Sequence, residues 1–399
     1  MMLPMRACFV LCATVLCAAG ADYPGWRGAA RDGVVEARAA WPEKLIRKWS
    51  VKAGAGHASP VSSGGKVYVF AREKGDEVLW ALDPALGKVL WRQAYPAPYK
   101  MNPAAVSHGE GPKATPLVAG GRVFTLGIHG IFTAWDAATG KRIWQKDYAK
   151  SPLYGSSASP MADGGLIILH TGGHGGGALT AFDPATGAEK WKWAGDGPGY
   201  ASPVVANLAG TPQVITQSQD HVVSVNAATG ALLWQIPFKT DYTQNIVTPV
   251  IHGDTVIYSG LDKGVTAVRP VRSGTAWKPE RVWHIPDVSF YMSSPVRKGD
   301  LLFGLSHKNK GQFVAIDLKS GTVLWRGAPR QGDNAALLLS GDALLLLNTE
   351  GTLIVANAAP GAYAEVRRYT VAESPTWAHP LLAAKGVIIK DLDSVALWE

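Results

Sequence analysis

The feature that most constrains this 399-residue chain is an internal repeat. An apolar run ends at Asp or Asn, a short turn closes on Gly, and a Trp follows four residues later. The phrase reads Asp83…Gly87…Trp91, Asp136…Gly140…Trp144, Asp183…Gly187…Trp191, Asn226…Gly230…Trp234 and Asp317…Gly321…Trp325. Two degraded copies run through Arg269 and Gly274 to Trp283, and through Asn357 and Gly361 to Tyr369. Trp49 has no copy before it. Successive Trp-type positions are 42 to 53 residues apart, a period that marks a propeller or solenoid.

A second phrase, small-Ser/Thr-Pro-apolar, opens each unit at Ser59, Thr115, Ser159, Ser202, Thr248 and Ser294, with His379-Pro380 a variant and Ala336-Leu337 keeping only the place. Between the phrases lie β-branched and aromatic runs such as Lys66–Phe70 and Arg122–Leu126, separated by Gly-Gly, Gly-Asp or Lys-Gly turns. Those are hairpin signals. Each unit therefore holds four strands, A to D, as a propeller blade does. The C-terminus from Pro380 to Trp398 supplies three strands and no fourth, and the strand around Trp49 can complete it. The expected fold is all-β: an eight-bladed β-propeller of four-stranded antiparallel blades, closed by N-terminal strand pairing with the C-terminal blade, which leaves no free edge between first and last blade. Composition agrees: 45 Gly, 26 Pro and 15 Trp, with 47% apolar and only 18% charged residues, suit a turn-rich β protein with a core rather than a disordered chain.

The repeat residues read as scaffold. An Asp at the first turn position accepts from backbone N–H groups two residues on, Gly supplies positive φ, and Trp packs between blades. No catalytic constellation is identifiable. Strands alternate in direction, so the D–A and B–C loops share one face, which gathers His57, His108, His129, His170, His174, His221 and His307, together with Tyr154, Tyr200, Asn245, Tyr291, Asn334 and Trp377. The candidate ligand-binding residues at the channel mouth are His57, His129, His170, His174, His221, Tyr200, Asn245, Tyr291, His307 and Trp377. Histidines there titrate near neutrality, so ligand affinity is expected to change between about pH 5.5 and 7.5. His170 and His174 fall in a glycine-rich loop without Asp or Glu, and no metal site is assigned; the glycine run lacks the Lys and strand-to-helix setting of a phosphate loop. The net charge of +8 permits an anionic envelope surface as partner. Lys88, Arg92, Lys141, Arg142, Lys146, Lys190 and Lys192 lie in C–D turns and outer strands, where charge discourages edge pairing. No aromatic-interleaved basic patch points to nucleic acid.

Arg6, the apolar run from Ala7 to Ala19 and the small residues Ala18-Ala19-Gly20-Ala21 describe a secretory signal, with cleavage after Ala21 or, second, Gly20. A leader segment then spans 22–44 and the propeller 45–399. Cys8, Cys12 and Cys17 all lie in the signal, so the mature chain has no disulfide or thiolate chemistry. A lipid anchor needs a small residue before its cysteine, where Leu11 and Leu16 stand instead. Nothing after residue 21 forms an apolar run long enough to span a membrane.

The Asp/Asn…Gly…Trp repeat over roughly 45–399 resembles the pyrroloquinoline-quinone-like propeller family, seen in quinoprotein alcohol dehydrogenases and in the propeller lipoprotein of the outer-membrane assembly machinery. The opening Trp26-Arg27-Gly28-Ala-Ala-Arg31-Asp32-Gly33 resembles the leader of an exported branch of that family. The resemblance implies a bacterial periplasmic or extracellular protein, a monomer, that binds an envelope protein or small ligand as a scaffold without a cofactor. The alternative it implies is a quinone- or metal-dependent oxidoreductase with pyrroloquinoline quinone and calcium. Those enzymes use a disulfide of adjacent cysteines and Glu, Asn and Asp on insertions; the mature chain has no cysteine, and only the Asp83–Asp136 interval has room for a modest insertion. N-terminal sequencing of the exported protein is expected to begin at or next to Asp22; a retained Met1 or a lipidated cysteine would refute the signal reading.

Overall fold

The computed structural model describes residues 22–38 and 40–399; the apolar N-terminal run, the cleavage point after Ala21 and the three cysteines lie outside the described residues. Eight β-sheets form the ring. Blades 1 to 7 span Val61–Pro96, Leu117–Asp147, Met161–Trp193, Val204–Pro237, Val250–Ile285, Val296–Arg326 and Ala335–Thr370. Within each, strands A to D follow in sequence order from the channel outward. Blade 8 takes its inner three strands from Leu381–Trp398 and its outer strand from Arg47–Lys52, paired antiparallel with Trp49 opposite Leu397 and Val51 opposite Val395. The fold is thus the expected eight-bladed propeller, closed by an N-terminal strand.

Blade-to-blade packing explains why Gly and Trp recur together. The Gly of one C–D turn lies under the Trp of the preceding blade: Gly87 under Trp49, Gly140 under Trp91, Gly187 under Trp144, Gly230 under Trp191 and Gly321 under Trp283. At Gly140 a Cβ would sit 2.6 Å from the Trp91 ring, and φ is +75°, so the position needs glycine for both space and backbone conformation. The indole N–H groups of Trp49, Trp144, Trp191 and Trp283 donate to carbonyls of the next turn, as Trp144 does to Pro184 at 3.1 Å and Trp191 to Ala227 at 3.0 Å, whereas that of Trp91 is buried without a partner. Within each turn Asp83, Asp136, Asp183, Asn226 and Asp317 accept two backbone N–H groups each. The degraded copy in blade 5 is a long hairpin, Val265–Ser273 with Ala276–Ile285. It offers no Gly to Trp234, whose N–H donates instead to Gln213 of its own blade at 2.8 Å.

The Ser/Thr-Pro phrases form a belt around the channel. In five neighbouring pairs the backbone N–H of one phrase donates to the hydroxyl of the next: His379 to Ser59, Ser59 to Thr115, Thr115 to Ser159, Ser159 to Ser202, and Thr248 to Ser294, at 2.9–3.2 Å. Proline removes the neighbouring donor, and the hydroxyl replaces it with a bond between blades.

The leader fills the channel. It enters beside the A–B turn of blade 1, where Tyr23 pairs with Ser62. Its tip rises to the belt, where the Trp26 indole donates to Thr248 Oγ1. It then descends as Val34–Val35, parallel to strand A of blade 7, the one blade whose phrase has been lost. Arg27 and Arg31 are buried. Arg27 donates to the carbonyls of Ser294 at 2.9 Å, Pro295 at 2.5 Å and Asp32 at 2.9 Å; Arg31 donates to Ser159 and Pro160. Burial lowers their pKa values to about 10 and about 9, so both stay cationic at neutral pH.

Replacing Arg27 with Met strips three carbonyls of their donor. Unfolding in urea should show a loss of about 2–4 kcal/mol, since each unsatisfied buried group costs about 1–3 kcal/mol; an unchanged midpoint would show that the leader does not brace the ring.

Candidate functional site at the channel mouth

One short rule builds the site. Residues two positions before the belt residue in seven blades are His57, Lys113, Ser157, Tyr200, Ile246, Met292 and Trp377, and all seven line a cavity of about 510 Å³ at the loop face. The chain approaches strand A in extended form, so side chains alternate, and this set turns to the axis. Trp26 of the leader and belt residues Ser202, Thr248, Ser294 and His379 also line it. The Asp83–Asp136 interval supplies one wall through the 3₁₀ turn Pro103–His108. A second hollow of about 780 Å³ adjoins the first and shares His108, Met292 and Trp377 with it.

The structure brings together His57, Tyr200 and Trp377 of the ten candidates in the first cavity. Tyr291 and His307 line the second, their rings 6.1 Å apart. His307 places Nδ1 3.0 Å from the Ser289 carbonyl and Nε2 3.1 Å from the Asp262 carboxylate. The other five stand apart. Asn245, one position out of register with the axial set, is fully buried. It donates to the carbonyls of Ser218, Gln219 and Phe238 and accepts from Thr240, so it pins a D–A crossover. His170 is not in a loop. It lies within strand Leu166–Gly173, opposite Leu179, and the glycines continue the pairing as Gly172–Gly177 and Gly173–Gly176. The hairpin turns at exposed His174 and Gly175. His170 donates from Nε2 to the Asp196 carbonyl at 3.1 Å, while His221 Nδ1 meets the Asp196 carboxylate at 2.9 Å. Asp196 also accepts from Ser218 and from the N–H of Asp220, and so ties blade 3 to a turn of blade 4. His129 lies 5.6 Å from the Tyr99 ring and 3.5 Å from Ser151 Oγ.

Sequence reasoning missed Lys113, Met292, His379 and Trp26. The signal for the first two was present as the constant offset from the belt. His379 could have been found as the one belt residue with an imidazole in place of a hydroxyl. Trp26 carried no such signal, because only the folded leader brings it to the mouth.

Burial governs the electrostatics. It pulls His57 down to about 3 and His170 to about 4, and holds His379 well below the ordinary range, with the Arg27 charge adding to the effect. His57 donates from Nε2 to the His108 carbonyl at 2.9 Å. His57 and His170 are therefore neutral at pH 5.5–7.5, which corrects, for these two, the expectation that they switch charge there. Lys113 donates to the Tyr154 carbonyl at 2.7 Å, and burial lowers it to about 8. None of the residues lining the first cavity is a carboxylate, and no grouping of three or more His, Cys, Asp or Glu able to hold a metal occurs among the described residues. Calcium takes carboxylate and carbonyl oxygens; of these the side chains lining the first cavity offer only the amide oxygens of Gln244 and Asn334, which already accept from Tyr291 and Ser293.

The architecture is that of an eight-bladed propeller of pyrroloquinoline-quinone-like repeats with one blind, plugged channel. A family model described as outer membrane protein assembly factor BamB matches residues 30–192 and 75–327, and the chain belongs to that family. It is 26% identical over 228 residues to outer membrane protein assembly factor BamB of Yersinia pestis, covering 53% of this chain and 55% of that relative. The match thus spans little more than half of the relative's length. The structure is similar to that of BamB from Moraxella catarrhalis, with TM-score 0.65, 16% identity, and coverage of 89% of this chain and 99% of that one. It is also similar to the quinohemoprotein alcohol dehydrogenase from Comamonas testosteroni, with TM-score 0.67, 15% identity, and coverage of 94% and 80%. At such identities the two structures show a shared fold.

The buried histidines make stability pH-dependent. Below pH 6.5 the unfolded chain takes up protons that folded His57 and His170 refuse until about pH 3 and 4. Stability therefore falls as pH drops from about 6.5 toward 4, by about 1.4 kcal/mol per pH unit for each group. Urea unfolding at pH 7, 5.5 and 4.5 should show a shallower decline in His170→Gln than in the parent; equal slopes would refute the assignment.

Proposed function

We propose that this chain is an exported cell-envelope propeller that acts as a binding or scaffold protein, and that it binds through the cavity at its channel mouth. The observation that carries the reading is the ring of seven residues at one register, set over a channel that the leader closes from the other side. Seven blades contribute a different side chain to one concave surface, whereas the opposite face repeats tight turns whose Asp and Gly are committed to backbone geometry. Concave, largely apolar surfaces with a few placed polar groups are where propellers and other folds take ligands. Family membership and the relatives named for outer-membrane assembly support an envelope location and a protein partner. No helix among the described residues is long and apolar enough to cross a membrane.

Two exposed apolar residues stand beside the cavity: Tyr242, which lines it, and Val106, in the 3₁₀ turn of the blade 1–2 connection whose Ala104, Ala105 and His108 line it. A photo-crosslinking side chain at Val106 or Tyr242 in the native envelope should give adducts, while the same group at Ala138 or Ala185 in the Asp–Gly turns should not. Adducts confined to the turn positions would overturn the reading. The purified protein mixed with pyrroloquinoline quinone and calcium should show the absorbance of free quinone alone; a shifted, stoichiometric spectrum would favour the oxidoreductase alternative.

A further inference from the structure

The two adjoining hollows differ in charge. The first holds Lys113 and no carboxylate among its lining residues. The second holds Asp333, Glu350 and Glu373 and neither Lys nor Arg. Glu373 is partly committed to Arg47 at 3.3 Å, whereas Asp333 and Glu350 are exposed on one loop of blade 7 and its neighbouring turn, Glu350 lying against Gly332. Lys113 stands on the approach to blade 2 and the carboxylates on blades 7 and 8, up to three blade steps around the ring. Between them lies a divide of His108, Met292 and Trp377, with the His108 and Trp377 rings edge to face at 4.6 Å.

Two side-chain amides of the first hollow have their oxygens committed and their NH₂ groups uncommitted. Asn334 accepts from Ser293 at its Oδ1, and Gln244 accepts from Tyr291 at its Oε1, which leaves both amide NH₂ groups to the cavity. His379 lies in the wall, nine-tenths buried, with its Nδ1 unpartnered. Backbone carbonyls are among the acceptors such side-chain amides take. A ligand with carbonyls along its length, an acidic group at one end and a basic group at the other matches the two amides, Lys113 and the carboxylates.

We propose, building on the mouth as the binding site, that the paired hollows bind an extended peptide segment, seating an acidic side chain or terminal carboxylate by Lys113 and a basic side chain by Asp333 and Glu350. An extended chain advances about 3.3 Å per residue, so a few residues cross the Trp377 divide and lay their backbone along Asn334 and Gln244.

Calorimetric titration of the full exported chain tests this with blocked pentapeptides that carry Glu and Lys at opposite ends, Glu alone, Lys alone, or neither, and with a neutral oligosaccharide. The Glu–Lys peptide should bind most tightly and the uncharged peptide and sugar least. Lys113→Met should weaken the Glu-bearing peptides about tenfold or more, the size expected for one charge-assisted contact, and leave the Lys-only peptide unchanged. Lys113→Arg should retain binding. The double change Asp333→Asn with Glu350→Gln should weaken only the Lys-bearing peptides; these residues are exposed, so folding is preserved. Binding indifferent to both sets of changes, no binding of any peptide, or tighter binding of the sugar would overturn the proposal. Crosslinks at Val106 or Tyr242 in the envelope that persist in Lys113→Met and in the Asp333/Glu350 variant would leave the mouth as the binding site and remove only the peptide-charge assignment.

Discussion

The belt of phrase residues around the axis is the interaction on which the rest of this structure depends. A propeller blade is a sheet with two open sides, and eight of them need a common reference at the centre. Here five of the six Ser and Thr hydroxyls accept the N–H of the phrase before them, so those neighbouring blades are bonded at the same height, and the sixth, Thr248, accepts the Trp26 indole of the leader instead. The same residues turn carbonyls inward, and Arg27 and Arg31 of the leader occupy them. Without the leader those carbonyls would face an empty tube; without the carbonyls two guanidiniums could not be buried.

Outside the belt, a different contact sets the blade spacing. Trp of one blade on Gly of the next is a large apolar plate on a residue with no side chain, and at Trp49, Trp144, Trp191 and Trp283 its indole N–H is satisfied by a turn carbonyl. Where the turn is replaced by the blade 5 hairpin, the Trp234 N–H finds a partner inside its own sheet. The repeat therefore tolerates loss of one copy, because the polar atom that would be stranded has another acceptor within reach.

The functional surface follows from these two constraints. The belt fixes where strand A begins, so the residue two positions earlier meets the axis in each of seven blades. The leader makes the floor with Trp26. The sites that looked alike in sequence separate at this point: His57, Tyr200 and Trp377 turn to the cavity, Asn245 is consumed by backbone carbonyls, and His170 is a strand residue. A one-residue change of register in an extended chain moves a side chain to the opposite side, which is why "a few residues before strand A" is too coarse to name a site.

The number of blades, their four strands, the closure by the strand around Trp49 and the scaffold role of Asp, Gly and Trp were legible in the sequence, because each rests on local turn chemistry and on a period that repeats. The inward direction of Lys113 and Met292 was also written there, as a constant offset from the phrase. What only the tertiary structure decided was the course of the leader, the burial of Arg27 and Arg31, and the meeting of Trp26, His379 and Lys113 at one mouth. These are contacts between residues tens to hundreds of positions apart. No periodicity spans them, and desolvation, which sets the neutral state of His57 and His379 and lowers Lys113, exists only once the ring has closed around them.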